Sequence, residues 1–211
     1  FWYRSMYFCY LEGCHIHLQR LDTQLCCSRD GRTWTRLCDR EVFLPNGEHG
    51  EFDGYWVVPT FNAPIHRDGQ LLIHYNGRAE PHGQPGFAAV KPGFSGAFAL
   101  ATLREDGFVS LDSVGTEGVV QTHPLSLPPD RAVLSVNVCP FDARPNYQPM
   151  AVTVEVLDAC GKPLCAYGIG AAADPEQPWT RVVLDRALPD VVILRFRMHN
   201  ARLYSFRFGA N

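Results

Sequence analysis

Lysine is nearly absent from this chain: of its 19 basic residues, all but Lys91 and Lys162 are arginine. Charge of either sign is sparse, at 19% of residues and a formal net charge of −3. No field is present that would gather nucleic acid or an anionic membrane as a partner. No apolar run approaches the roughly 18 residues that cross a bilayer as a helix. No signal peptide is visible, and the chain begins at Phe1 in strand-like sequence, which reads as an internal start and leaves the localisation unknown. CxxC pairs, zinc-finger spacing, a Gly-rich phosphate loop, a nucleophile elbow and an HExxH helix are all missing. The expectation is therefore no cofactor and no metal. What is abundant is punctuation: 18 Gly and 16 Pro, spread along 211 residues, leave no room for long helices. The length suits one large β domain or two small ones.

Eight cysteines, Cys9, Cys14, Cys26, Cys27, Cys38, Cys139, Cys160 and Cys165, read as small buried apolar residues, with one or two disulfides open to them in an oxidising compartment. "GCHIH" comes nearest to a metal cluster, since His15 and His17 would share a face on a strand. The plainer reading is a half-exposed strand.

Nearly every segment reads as strand: "SMYFCYL", "HIHLQRL", "TQLCCS", "YWVVPTF", "LLIHYNG", "AFALATL" and "REDGFVSL". "AFALATL" has the small apolar residues of an inner strand in a crowded place, and "PHGQPGFAAVKPGFSG" is a long loop. Beyond the turn-rich "DSVGTEG" the alternation becomes cleaner. "AVTVEVL" sets Val152, Val154 and Val156 against Thr153 and Glu155, and "LRFRMH" sets Leu194, Phe196 and Met198 against Arg195, Arg197 and His199. "LYSFRF" would put Tyr204, Phe206 and Phe208 on one face. One wet and one buried face in each strand predicts an antiparallel β-sandwich of five or six strands over residues 114–211.

"SRDGRTW" predicts a tight turn, with Asp30 accepting backbone N–H groups, Gly31 at positive φ and Trp34 starting the returning strand. S-x-D-G-x-x-W resembles a shortened Asp-box turn of β-propeller glycosidases. Its order with "FLPNGEHGEFD", "HYNG", "LREDGFVSLD" and a terminal "LYSFRF" resembles five-bladed β-propeller glycoside hydrolases related to glycoside hydrolase families 32 and 43. The resemblance implies an all-β fold: a partial β-propeller of about two blades over residues 1–113, followed by the sandwich. A propeller closes with about four blades or more, so it also implies N-terminal blades preceding Phe1, or self-association through exposed edges.

Glycoside hydrolysis needs two carboxylates flanking the scissile bond. The resemblance places the family's main carboxylates on earlier blades, outside this chain. The local candidates are Asp53 and Glu51, two apart and so on one face if they lie on a strand. Asp53 would then open an inner strand and point into the central funnel near Trp56. His49 shares their loop, and the plainer reading of all three is a solvated loop. Trp56 and Tyr75 suit sugar stacking and hydrogen bonding. His74 either faces the core or joins them as a sugar donor, with His66 and Arg78 nearby. Asp158 and Asp174 are too scattered for calcium, which takes about six to eight oxygens, and Trp179 reads as packing at the sandwich edge. The expected function is the C-terminal part of a glycoside hydrolase-like protein acting on or binding carbohydrate, leaning to an enzyme origin with this chain alone inactive. The alternative is a non-catalytic carbohydrate-binding or structural β protein.

Overall fold

The computed structural model describes residues 1–83, 96–129, 131–141, 149–169, 178–184 and 187–209. Most of the long loop expected before Gly96 lies outside them, as does Asp174. The chain is all-β, a partial β-propeller followed by an antiparallel sandwich, with one short 3-10 turn at Cys38–Arg40 among the described residues. Contacts divide it into two compact units, Phe1–Leu103 and Arg104–Asn211. That division precedes the turn cluster at 112–118. The Arg104 guanidinium donates to Asn137 Oδ1 (2.7 Å), Asn137 Nδ2 donates to the Glu105 carbonyl (2.7 Å), and Leu111–Ser113 pairs with a sandwich strand.

The first unit contains β1 (Trp2–Tyr3), β2 (Met6–His15), β3 (Arg20–Ser28), β4 (Thr35–Arg36), β5 (Val42–Leu44), β6 (Trp56–Pro59), β7 (Ile65–Arg67), β8 (Gln70–Arg78) and β9 (Gly96–Arg104). They join in one curled sheet made of two strand groups. In the first group β1, β2 and β3 run antiparallel. Because β2 fills one edge of β3 throughout, β4, β5 and β6 follow one another along its other edge, at Cys26–Cys27, Thr23–Gln24 and Leu21. The second group is β8 with β6, β7 and β9. Among the described residues one ladder pairing, the parallel bridge of Leu21 to Trp56, links the groups, and the His82 N–H donates to the Gln19 carbonyl beside it (2.9 Å). Side chains reinforce that junction: Thr23 Oγ1 donates to the Val57 carbonyl (2.7 Å) and Asn46 Nδ2 to the Leu21 carbonyl (2.8 Å). Val57, Leu71 and Ile73 are buried here. β9 does not lie in a crowded place: Phe98 is 80% exposed.

The Asp30 turn forms as its chemistry dictates. Asp30 Oδ1 accepts from the N–H groups of Arg32 and Thr33 (2.8 Å each) and from Ser28 Oγ (2.9 Å), and Gly31 has φ of 70°. These bonds hold the Asp30 carboxyl down at about 2, the backbone donors contributing most.

The second unit contains β10 (Leu111–Ser113), β11 (Gly118–Gln121), β12 (Leu125–Ser126), β13 (Val133–Pro140), β14 (Ala151–Leu157), β15 (Pro163–Ile169), β16 (Trp179–Val183), β17 (Val191–His199) and β18 (Ala201–Gly209). Among the described residues this makes nine strands rather than five or six, because the stretches 119–127 and 150–164, each strand-like throughout, hold two strands apiece and β10 lies before residue 114. One sheet runs β10-β18-β13-β16, the other β11-β17-β14-β15 with β12 on β17. Val152, Val154 and Val156 of β14 and Leu194, Phe196 and Met198 of β17 meet Leu134, Val136 and Val138 of β13 in a shared core. Their alternation puts Glu155, Arg195 and Arg197 on the opposite, wet face, where Glu155 bonds both guanidinium groups at 3.2 Å. In β18 the expected single face breaks. A bulge in the pairing with β13 makes Ser205 oppose Asn137 but Leu203 oppose Val138, leaving Tyr204 as the extra residue. Phe206, Phe208 and Leu203 therefore pack on the core, while Tyr204 instead stacks beneath the Arg104 guanidinium, 4.5 Å from ring centroid to Cζ.

Candidate functional site

β6 and β8 pair in the register Trp56–Arg78, Val57–Gly77, Val58–Asn76, Pro59–Tyr75. Cross-strand partners share a face and neighbours in a strand do not. Trp56, Val58, Asn76 and Arg78 thus lie on one face of the sheet, and Val57, Pro59, Gly77 and Tyr75 on the other.

Asp53 belongs to the second face. Residues 51–55 form turns and the strand begins at Trp56, so Glu51 and Asp53 do not share a strand face as the spacing suggested. The Gly47 N–H donates to the Asp53 carbonyl (3.2 Å) and the Gly54 N–H to the Glu51 carbonyl (3.2 Å), which fixes the loop as successive turns. Glu51 is exposed, whereas Asp53 is half-buried and packs directly over Gly77, where an added Cβ would lie 2.6 Å from its own. The Tyr75 hydroxyl donates to Asp53 Oδ2 at 2.8 Å, and the Tyr75 ring stacks on Phe52 with centroids 6.2 Å apart. Burial, and then this bond to the carboxylate, push the Tyr75 phenol up to about 12.

Trp56 belongs to the first face. With Val58, Asn76, Arg78 and Glu12 of β2 it lines an open depression of about 330 Å³. The Arg78 guanidinium lies 5.1 Å from the Trp56 ring centroid, and His82 tilts against the same indole at 4.9 Å. Among the described residues the Trp56 Nε1–H is buried without an acceptor. Trp56 and Tyr75 are therefore not two walls of one pocket. His49 is exposed and meets Tyr55 edge-on at 6.1 Å. His74 is exposed and not in the core, because it falls out of phase with buried Leu71 and Ile73. It borders a separate cavity of about 180 Å³ with Thr60, Asn62 and Ile65.

Glu12 and Asn76 had no local signal in the sequence; strand register alone brings them beside Trp56. Another residue overlooked is Asp22, 4% exposed, whose Oδ2 pairs with His15 Nε2 at 2.6 Å. β2 ends at His15 and His17 lies in the following turn, so the two imidazoles do not share a strand. No group of three metal-ligating side chains occurs among the described residues. Asp158 caps its own turn, accepting from the N–H groups of Cys160 and Lys162 at 2.9 Å. Trp179, on the edge strand β16, donates to Glu105 Oε2 (2.8 Å) beneath the Arg207 guanidinium.

No family model matches the chain, and no curated protein matches it. Among solved structures it is similar to a glycoside hydrolase family 43 arabinoxylan arabinofuranohydrolase from Bacillus subtilis in complex with cellotetraose. The identity is 12% and the TM-score 0.27, over 100% of this chain and 53% of that one. It is also similar to the M60 catalytic domain with the CBM51-1 and CBM51-2 domains from Clostridium perfringens ZmpB, at 9% identity and a TM-score of 0.23, over 90% of this chain and 25% of that one. The chain spans about half the length of the first and a quarter of the second.

Proposed function

We propose that this chain binds carbohydrate at the Trp56 depression, as the C-terminal part of a glycoside hydrolase-like protein, and performs no hydrolysis with its own residues. The observation that carries this reading is the composition of that depression: an indole rimmed by a carboxylate, a carboxamide and a guanidinium. A sugar offers hydroxyls that both donate and accept, and apolar C–H patches. Glu12 accepts, Arg78 donates, Asn76 does both, and Val58 and Trp56 supply apolar surface. A volume of about 330 Å³ falls at the lower end of the roughly 300–1,000 Å³ of small-ligand sites, room for a short saccharide.

Hydrolysis calls for a second carboxylate about 5–9.5 Å from the first. Glu12 is the one acid among the described residues lining the depression, and Asp53 lies on the opposite face of the sheet. On this reading the main catalytic carboxylates belong to the earlier blades that the resemblance implies, and Asp53 and Tyr75 serve to hold the loop on β8.

The test is titration calorimetry of the purified chain with short xylo-, arabino- and fructo-oligosaccharides, alongside an assay for released reducing sugar. Binding that weakens at least tenfold in Trp56→Ala and Asn76→Ala, persists in Tyr75→Phe, and comes without product release is the expected result. Equal binding by Trp56→Ala, or no binding to any saccharide, removes the site. Turnover abolished by Glu12→Gln overturns the non-catalytic assignment.

A further inference from the structure

Cys9 of β2 and Cys26 of β3 are direct cross-strand partners. Phe8 exchanges both main-chain hydrogen bonds with Phe1, each 2.9 Å. Its neighbours in β2, Tyr7 and Cys9, must therefore turn their N–H and C=O groups toward β3. Cys9 and Cys26 form a hydrogen-bonded antiparallel pair, whose Cα atoms stand about 5.5 Å apart with both Cβ atoms on one face. A disulfide requires a Cα separation of about 4.4–6.8 Å, most often near 5.5–6 Å. Neither residue is in a disulfide. The competing thiols are placed elsewhere: Cys27 opposes Phe8 and points to the other face, and Cys14 opposes Leu21. Burial, and then the adjacent Cys9, push the Cys26 thiol up, as expected for two sulfurs that share one patch of the sheet.

We propose that Cys9 and Cys26 are a modification site: they close into a cross-strand disulfide when the protein meets a peroxide or a low-molecular-weight disulfide. Cys9 is half-buried and Cys26 only 6% exposed, so Cys9 reacts first. With a peroxide, the Cys9 thiolate attacks one oxygen; an S–O bond forms, the O–O bond breaks and water leaves after protonation. Cys26 then gives up its proton and attacks the Cys9 sulfur; the S–S bond forms, the S–O bond breaks and a second water departs. Two thiols are oxidised, one peroxide is reduced, and a reductant such as glutathione reverses the step. The product staples β2 to β3 across the turn at residues 16–19.

The full chain is incubated with hydrogen peroxide or oxidised glutathione, alkylated under denaturing conditions and cleaved with trypsin. Cleavage after Arg4, Arg20 and Arg29 releases residues 5–20, with Cys9 and Cys14, and residues 21–29, with Cys26 and Cys27. The expected product is these two peptides joined, lighter than their sum by two hydrogens, and separated again by reductant. The link should survive in Cys14→Ser and Cys27→Ser and disappear in Cys26→Ser. If Cys26→Ser does not fold, Cys9→Ser, at the half-buried partner, supplies the same comparison. Alkylation of both thiols after every oxidant treatment, or a link that depends on Cys14 or Cys27, overturns the proposal.

Discussion

Replacing Tyr75 by Phe deletes one oxygen and leaves the ring on Phe52, so it isolates the 2.8 Å bond to Asp53. A hydrogen bond to a charged group contributes about 1.5–3 kcal/mol. The rise of the phenol from 10.0 to about 12 comes first from burial and only then from the bond to Asp53, so it is no measure of the bond alone. Tyr75 and Asp53 are only half-buried, and solvent screening reduces the bond's contribution. The expected loss is about 1 kcal/mol, read as a shift in the urea midpoint at unchanged slope. The pH dependence has a fixed sign. A phenol whose folded value lies above its unfolded one contributes stability that is fully present below pH 10.0 and is lost as pH rises through about 12. Difference absorbance titration of wild type against Tyr75→Phe should therefore show the missing phenolate signal near pH 12. A midpoint near 10, or a variant as stable as the wild type, would show that the Asp53–Tyr75 contact is not made in solution.

Phe196→Ala empties the centre of the sandwich, where the ring is fully buried against Phe206, and should cost about 3–5 kcal/mol in chemical denaturation; a loss under 1 kcal/mol would contradict the core assignment. The Asp30 carboxyl should titrate near pH 2 by carbon-detected NMR, and its turn should be intact above 3.8 and lost as pH falls through about 2. Titration at the ordinary aspartate value would mean that the Ser28, Arg32 and Thr33 donors are not engaged.

The sandwich was legible wherever a strand was long enough for its period to speak. Val152, Val154 and Val156 face inward because a strand has period two, and Arg195 and Arg197 face outward for the same reason. The same rule failed in β18, since a bulge inserts one residue and reverses the facing of every residue beyond it, and nothing in "LYSFRF" marks where that occurs. The Asp30 turn was legible because its donors and acceptor are neighbours in sequence. Around Trp56 the sequence named the aromatic and Arg78 but not Glu12 or Asn76, which arrive from other strands through register. Glu51 and Asp53 share a face only if they lie on a strand; their Gly-rich surroundings fold as turns, in line with the loop that the plainer reading expects.

The junction between β3 and β6 has a mechanical consequence. Among the described residues β3 and β6 share one ladder position, and the rest of the junction is made outside the ladder: by the Thr23 hydroxyl, by the Asn46 carboxamide, and by Gln19, whose carbonyl and side-chain oxygen accept from the N–H groups of His82 (2.9 Å) and Gly83 (2.7 Å). Side chains and turn residues thus do at this seam what a run of ladder bonds does elsewhere in the sheet, so single substitutions at Gln19, Thr23 or Asn46 act on how the two groups are joined.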